Sequence, residues 1–225
     1  MPTVLVTGAN RGLGLHFAQQ YAAEGWRVLA TCRRPDEAEA LRELPVEVHR
    51  LDVTDQQQVD ALAEALAGQP IDLLIHNAGV GEAGGLGSGG VDVEGWVHTL
   101  RTNTIAPLVL TRALVENVAA SERKTVVAIS SGLGSIADNA SGGMYAYRSS
   151  KAAVNMVMRS LAVELRPRGI VVVPIEPGWA STDMGGPSAP QLPADSVRDM
   201  RAVIERLGLR DSGRFFSYSG SEFPW

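Results

Sequence analysis

Tyr147 and Lys151 are the two side chains of this sequence whose types and spacing most clearly suggest chemistry. They are four residues apart in a stretch with helical periodicity, so both can lie on one helix face. A phenol is a general acid or base, but its ordinary pKa of about 10 requires a nearby cation to favour the ionised form. Lys151 supplies that charge. Tyr145 is the competing tyrosine, but uncharged Ser149 stands at the equivalent spacing, so we interpret Tyr145 as a packing or pocket residue.

A glycine-rich loop follows the first predicted strand and opens a helix. Its spacing is Gly-x3-Gly-x-Gly, and its glycines allow the backbone to turn sharply and to approach a pyrophosphate. The phosphate charge would then lie at the helix N-terminus. We therefore predict a dinucleotide site that includes Gly8, Asn10, Arg11, Gly12, Leu13 and Gly14.

Arginines near this loop predict which dinucleotide binds. Arg33 follows the second predicted strand, where the adenosine ribose is expected, and can act with Arg11 on a 2′-phosphate through bidentate contacts. This pair favours NADP(H) over NAD(H). Arg34 is interpreted as solvent-exposed. Asp36 is the nearest acidic candidate for a ribose hydroxyl, but its position after Pro35 indicates a helix-start residue, as the N-cap preference of aspartate suggests.

The composition is typical of a globular protein. The chain has 225 residues, of which 45% are hydrophobic and 20% charged, enough to form a substantial core. A net charge of -5 with interspersed signs argues against nucleic acid as a partner. No signal peptide or membrane-length apolar run is apparent, and Cys32 is the only cysteine, so we expect a cytoplasmic protein with no membrane partner. The four histidines form no metal-binding pair, so no metal site is predicted.

Short β-branched runs alternate with segments of helical periodicity along the chain. The predicted strands cover residues 3–6, 27–30, 46–51, 71–75, 125–129, 170–175 and 215–218. The predicted helices cover residues 13–24, 36–43, 56–67, 93–120, 144–166 and 194–207. This alternation predicts a Rossmann-like, doubly wound α/β fold with a parallel sheet of about seven strands and helices on both faces.

Two aperiodic stretches, 79–90 and 185–193, are predicted to be loops. Neither has the length or composition of a linker, so we expect one domain over residues 1–225.

Further motifs occur in the order found in short-chain dehydrogenase/reductases. They are Asp52-Val53, Asn77-Ala78-Gly79, Asn103, Ser131, Tyr147-x3-Lys151 and Pro177-Gly178. Together with the glycine loop they span most of the chain, so the sequence resembles that family. One departure is His76, where the family commonly has a second asparagine.

The resemblance implies a role for each matching residue. Asp52 would bind the adenine amine and Val53 would offer its backbone, while Asn77 would mainly brace the central strands. Asn103 would hold a water that joins Lys151 to solvent as a proton relay. Besides the glycine loop, Arg33, Tyr147 and Lys151, the residues expected at the cofactor are Asp52, Val53, Asn77, Ala78, Gly79, Pro177, Gly178 and Thr182, the last at the nicotinamide carboxamide.

Ser131 is expected to hydrogen-bond the substrate oxygen, because it stands at the end of the fifth predicted strand. Ser135 remains the alternative, since its distance along the chain from Tyr147 is closer to the spacing expected for the family. Residues 138–143 can absorb the extra length if Ser131 is the catalytic serine. Ser130, on the opposite strand face, is interpreted as a structural hydroxyl.

Longer segments, including residues 130–136, 143–148, 182–186 and 223–225, resemble the sniffer-type carbonyl reductase and C-factor branch. This implies an NADP(H)-dependent oxidoreductase that interconverts an aldehyde or ketone and an alcohol by hydride transfer on a small-molecule substrate. A second hypothesis is a cofactor-binding signalling protein of the same fold with little turnover. The helices at 93–120 and 144–166 are the family's usual dimer surface, so a homodimer is compatible with the sequence.

Overall fold

The β-branched runs form seven parallel strands of one sheet, in a computed structural model that describes residues 1–81 and 90–225. The strands are β1 (Thr3–Thr7), β2 (Arg27–Cys32), β3 (Glu47–Arg50), β4 (Leu73–His76), β5 (Thr125–Ile129), β6 (Val171–Glu176) and β7 (Phe216–Ser217). Their order is β3-β2-β1-β4-β5-β6-β7, which reverses direction between β1 and β4. The predicted Rossmann-like fold is confirmed.

Helices connect the strands and cover both faces of the sheet. They are α1 (Gly12–Ala23), α2 (Glu39–Arg42), α3 (Gln56–Ala65), α4 (Val93–Leu100), α5 (Ala106–Ala119), α6 (Tyr145–Leu165) and α7 (Pro193–Arg206). Because side chains alternate along a strand, Val4 and Val6 pack on the α1 and α7 side, while Leu5 packs on the side of α3, α5 and α6. Both faces of the sheet are therefore dry, as parallel sheets require.

A side-chain cap and a sharp backbone turn determine where α3 and α6 begin. The Asp55 carboxylate accepts the N–H groups of Gln57 and Gln58, which caps α3. Helix α6 begins directly after Met144, whose φ of 48° turns the chain sharply into the helix. This turn places Tyr147 in the first helical turn of α6.

Two predicted helices differ from the structure. The helix expected at 93–120 is interrupted by a π-helical turn at Arg101–Ile105, followed by Pro107 in the first turn of α5. A proline has no N–H to donate, so the break in the regular ladder falls next to it. The helix expected at 36–43 is divided into a 3-10 turn, Pro35–Glu37, and α2. Asp36 therefore lies inside that turn and is not an N-cap, which is Arg34.

The predicted loop at 79–90 lies largely outside the described residues, because 82–89 are not among them. Within residues 1–81 and 90–225, no helix is both long enough and apolar enough to cross a membrane.

Candidate active site

The predicted site residues lie at the carboxyl ends of neighbouring strands. Strand β1 leads into the glycine loop, β4 into Asn77, β5 into Ser131 and β6 into Pro177. In open parallel sheets, ligands bind at this edge where the strand order reverses, which here is between β1 and β4. The topology therefore brings motifs that are distant in sequence to one edge.

Three glycines shape the loop between β1 and α1. Gly8 and Gly12 have φ angles of 64° and 53°, in the left-handed region that glycine tolerates best. A Cβ on Gly14 would lie 2.3 Å from the Gly8 carbonyl oxygen, so no side chain fits there. The side chain of Arg11 caps no backbone N–H of α1. The first-turn N–H groups can therefore donate to a ligand, and this tight, uncapped loop fits a dinucleotide pyrophosphate.

Asn77 ties the end of β4 to the glycine loop. Its side-chain amide donates to the carbonyl oxygens of Thr7 and Gly8 at 2.9 and 3.1 Å. The Thr7 hydroxyl in turn accepts the N–H groups of Asn77 and Ala78, each at 3.0 Å. A Cβ on Gly8 would also lie only 3.0 Å from the Cα of Ala78. The geometry of Asn77 is thus that of a brace between strands.

Asp52 presents a carboxylate just beyond β3. Its Oδ1 accepts the N–H and the hydroxyl of Thr54 at 2.9 and 2.7 Å. Burial alone would raise the Asp52 pKa, but the Thr54 bonds and the charge of Arg33 hold it below its ordinary value. Asp52 is therefore ionised at neutral pH and can accept from an amine. Val53 is half-buried against the core of α3 and α5.

Arg11 forms an ion pair that was not predicted. Its guanidinium lies 2.9 Å from the carboxylate of Asp183, in the loop after β6, and the two side chains are 66% and 79% exposed. Such surface pairs contribute only about 0–1 kcal/mol, so Arg11 can exchange Asp183 for a phosphate at little cost. Arg34 instead pairs with Glu37 at 2.9 Å on the surface.

Tyr147 and Lys151 are both buried on α6. Lys151 Nζ donates to the carbonyl oxygen of Ile129, the last residue of β5, at 2.9 Å and lies 5.6 Å from the centre of the Tyr147 ring. Burial lowers the pKa of Lys151 to about 8. The lysine therefore holds a charge that it can give up close to neutral pH.

The pKa of Tyr147 is raised, mainly by burial of the phenol, and the charge of Glu176 acts in the same direction. The neighbouring Ser131 hydroxyl lowers it, but by less. Desolvation of the phenolate outweighs the other influences on this pKa. Tyr147 is consequently protonated at neutral pH, which is the form that donates a proton.

Asn103 lies in the π-helical turn, buried beside the lysine. Its Oδ1 accepts the N–H of Val80 at 2.9 Å, and its amide donates to the Val80 carbonyl and the Ser150 hydroxyl at 2.8 and 3.0 Å. A Cβ on Gly79 would lie 3.3 Å from Asn103 Oδ1 and 3.8 Å from Lys151 Nζ. Asn103, Gly79 and Lys151 therefore meet, and Asn103 is a buried residue of the π-helical turn.

The three candidate serines have different environments. Ser131, two residues after the end of β5, has an extended backbone and accepts the Leu133 N–H at 3.2 Å, beside the Tyr147 phenol. Ser135 is buried, donates to the Trp225 carbonyl and accepts the Asp138 N–H, each at 3.1 Å. The Ser131 hydroxyl therefore lies beside Tyr147, whereas the Ser135 hydroxyl is used within the structure.

Ser130 and Tyr145 have the environments expected of structural and pocket residues. The Ser130 hydroxyl donates to Asn155 of α6 at 2.6 Å in the protein interior. Tyr145 is 42% exposed, so its phenol lacks the desolvated surroundings of Tyr147.

The loop after β6 reaches back to the glycine loop. Pro177 is followed by Gly178, whose φ of 78° turns the chain away from the sheet. Thr182 then lies beside the glycine loop, where a Cβ on Gly12 would be 3.5 Å from Thr182 Cγ2. Thr182 Oγ1 accepts the Gly185 N–H at 3.1 Å, which orders the turn that carries Asp183.

The model of the short chain dehydrogenase family matches residues 2–193 of this chain. The chain belongs to that family. Among curated relatives, the C-signal of Myxococcus xanthus is 45% identical over 167 residues, which are 73% of this chain and 99% of that protein.

Two solved structures of short-chain dehydrogenases are similar along the entire chain. The carbonyl reductase Sniffer of D. melanogaster has a TM-score of 0.92 and 32% identity, with 100% of both chains covered. The NADPH-bound carbonyl reductase from chicken fatty liver has a TM-score of 0.93 and 35% identity, covering 100% of this chain and 99% of that one. The resemblance to this family and its sniffer-type branch is therefore confirmed.

Sequence reasoning missed one charged group of this short-chain dehydrogenase site. Glu176, the last residue of β6, lies near enough to Tyr147 to raise its pKa. The signal available in the sequence was its position directly before the Pro177-Gly178 motif.

His76 is buried in the core, with Nε2 2.8 Å from the Thr111 hydroxyl, and burial lowers its pKa to about 3. It is a neutral packing residue. Within the described ranges, no three His, Cys, Asp or Glu residues are grouped as metal ligands.

Proposed function

We propose that this chain is an NADP(H)-dependent oxidoreductase that interconverts an aldehyde or ketone and an alcohol. The observation that carries the proposal is a desolvated, protonated Tyr147 between Ser131 and Lys151, at the sheet edge that also holds the glycine loop. A proton donor beside a hydroxyl donor and a dinucleotide cradle is the set of groups that carbonyl reduction requires.

Bound NADPH supplies a hydride to the carbonyl carbon, and the remaining steps belong to the side chains. Ser131 and Tyr147 donate hydrogen bonds to the carbonyl oxygen and stabilise the negative charge that develops there. Tyr147 transfers its proton to that oxygen, which gives the alcohol and leaves a phenolate.

Lys151 stabilises the phenolate of Tyr147 and returns its proton, and Asn103 positions the surroundings of Lys151. The Lys151 ammonium stabilises the phenolate charge, and its pKa of about 8 allows it to pass a proton on near neutral pH. Asn103 hydrogen-bonds the Val80 backbone and the Ser150 hydroxyl, and these bonds position the segments that surround Lys151. We assign the proton relay to solvent to this region, with Asn103, Ser131, Tyr147 and Lys151 as the catalytic residues.

The cofactor is held by groups from four strand ends. The first-turn N–H groups of α1 would bind the pyrophosphate, Asp52 would accept from the adenine amine, and Thr182 would contact the nicotinamide carboxamide. Arg33 and Arg11 would bind the 2′-phosphate, for which Arg11 would give up its pair with Asp183. The NADPH that is bound to the similar chicken carbonyl reductase supports this choice of cofactor.

A second candidate function is a nucleotide-dependent signalling protein with little turnover, which the 45% identity to the C-signal of Myxococcus xanthus favours. Such a protein would bind the cofactor without needing a proton donor. The Tyr147, Lys151 and Ser131 arrangement supports the enzyme more strongly.

One experiment separates the two functions. The purified chain is incubated with NADPH or NADH and a panel of aldehydes, ketones and quinones, while the absorbance of the reduced cofactor is followed and alcohol is quantified. We expect alcohol formation in proportion to NADPH consumed. Tight NADPH binding by calorimetry with no alcohol from any carbonyl would contradict the enzyme and favour the signalling protein.

A further inference from the structure

Glu176 lies at the reacting end of the sheet. It is the last residue of β6, and the preceding residue, Ile175, accepts the N–H of Ser130 at 2.8 Å. Glu176 is therefore adjacent, across the sheet, to the point where Ser131 leaves β5. Ile175 packs in the core beneath α1 and α7, so alternation along the strand directs Glu176 to the opposite face, which α6 covers. Tyr147 stands on that same face.

The contacts of Glu176 place its carboxylate between two loops of the site. Oε1 accepts the Gly178 N–H at 2.6 Å. The Cγ atom lies 3.6 Å from where a Cβ on Gly132 would be, directly next to Ser131. The side chain thus fills the gap between the Ser131 loop and the Pro177-Gly178 turn.

Glu176 is a half-buried carboxylate with no cation partner in the part of the chain that the structure describes. Burial consequently raises its pKa. A desolvated carboxylate without a counter-charge destabilises a fold, and its bond to Gly178 requires only a neutral acceptor. A desolvated carboxylate without a counter-charge beside a catalytic residue is a candidate for binding the substrate or taking part in catalysis.

We infer that Glu176 is a specificity-determining residue that binds a hydroxyl or protonated amine on the carbon next to the substrate carbonyl. In the proposed binding mode the carbonyl oxygen lies between Ser131 and Tyr147, and the neighbouring carbon lies on the side of the Ser131 loop that Glu176 contacts. An α-hydroxy or α-amino carbonyl compound is the substrate class that this arrangement accepts. The inference rests on the proposed carbonyl reduction.

The test compares substrates of equal size with and without the donor. They are hydroxyacetone, aminoacetone and butanone, together with phenacyl alcohol and propiophenone, each assayed with NADPH. Glu176→Gln keeps an acceptor for Gly178 but removes the charge, and Glu164→Gln, at an exposed position of α6, is the matched control. Comparing variant with wild type cancels the intrinsic reactivity of each ketone.

A charge-assisted hydrogen bond corresponds to a factor of about ten to a hundred in kcat/KM. We expect Glu176→Gln to lower the ratio of kcat/KM for each donor-bearing substrate to that for its donor-free partner by at least about tenfold, most for aminoacetone; an effect through Tyr147 is common to all substrates and cancels in this ratio. Glu164→Gln should leave every ratio unchanged. An equal effect of Glu176→Gln on all substrates, or none, overturns the inference while the reductase stands. If the wild type reduces none of these compounds or any other carbonyl, both proposals fail.

Discussion

The ammonium group of Lys151 lies 5.6 Å from the centre of the Tyr147 ring, on the same face of α6. The carbonyl oxygen of Ile129 fixes the ammonium there through a bond of 2.9 Å. The cation is thus anchored to the end of β5, next to the loop that carries Ser131. Helix α6 and the sheet edge together hold Tyr147, Lys151 and Ser131 next to one another.

Lys151→Ala should lower kcat by at least about a hundredfold, since the phenolate formed during turnover loses its stabilising charge. The measurement is steady-state NADPH oxidation, with NADPH affinity and circular dichroism recorded in parallel. Arg112→Ala removes an exposed cation of α5 and serves as the control. A Lys151→Ala enzyme within a few-fold of wild type would exclude the proposed role of the lysine.

Ser131→Ala should reduce kcat by about 100- to 1,000-fold, as expected for loss of one donor to a developing oxyanion. Ser135→Ala should instead lower the melting temperature, because it removes a buried hydroxyl that bonds the Trp225 carbonyl and the Asp138 N–H. Each kcal/mol lost corresponds to roughly 2–4 °C in a chain of this size. The reverse ordering of the two variants in kcat would reassign the catalytic serine to Ser135.

His76 should make the fold sensitive to acid. Its pKa in the folded protein is about 3, below the ordinary value of 6.5, so the unfolded chain binds a proton that the folded chain does not. The stability that neutral His76 contributes is complete above pH 6.5 and is lost as the pH falls towards 3, by up to about 1.4 kcal/mol per pH unit.

His76→Asn removes this group. The free energy of unfolding of the variant, measured with urea, should therefore vary less with pH across that range than that of the wild type. His16→Asn, at a half-buried position of α1, is the control. Parallel curves for wild type and His76→Asn would refute the prediction.

NADPH should be preferred to NADH by about a hundredfold or more in kcat/KM, because two charge-assisted contacts bind the 2′-phosphate. Arg33→Ala and Arg11→Ala should each reduce kcat/KM for NADPH and spare that for NADH. Arg34→Ala, which loses only the surface pair with Glu37, should change neither. Equal kcat/KM values of the wild type for both cofactors would show that the arginines do not select for the 2′-phosphate.

Local patterns were sufficient to predict the sheet. Strands such as Thr125–Ile129 are short apolar runs rich in β-branched residues, and right-handed crossovers between them leave few alternative topologies. The break at Arg101–Ile105 was not predicted, because the apolar periodicity continues through it and Asn103 is held there by tertiary bonds. Asp36 was interpreted as a helix-start residue from its position after Pro35 and the N-cap preference of aspartate; it lies in the first turn of the 3-10 segment that Pro35 begins, but the N-cap is Arg34.

The positions of the motif residues were predictable, but their electrostatics were not. The raised pKa of Tyr147 arises from desolvation by elements far away in the chain, which residue spacing does not report. The Arg11–Asp183 pair and the approach of Glu176 to Tyr147 also depend on how loops from different strands meet. The residues in such contacts are far apart in the sequence, so local sequence patterns do not predict them.

The most direct measurement is the rate at which wild type, Tyr147→Phe and Tyr145→Phe form alcohol at saturating NADPH. The substrate is a carbonyl compound that the wild type reduces. Tyr147→Phe keeps the buried ring but removes the proton donor, so its kcat should fall by at least about a hundredfold with unchanged NADPH affinity. Tyr145→Phe should retain most of the activity, since that side chain is 42% exposed. A Tyr147→Phe enzyme as active as wild type, or loss of activity in Tyr145→Phe alone, would contradict the assignment of Tyr147 as the acid.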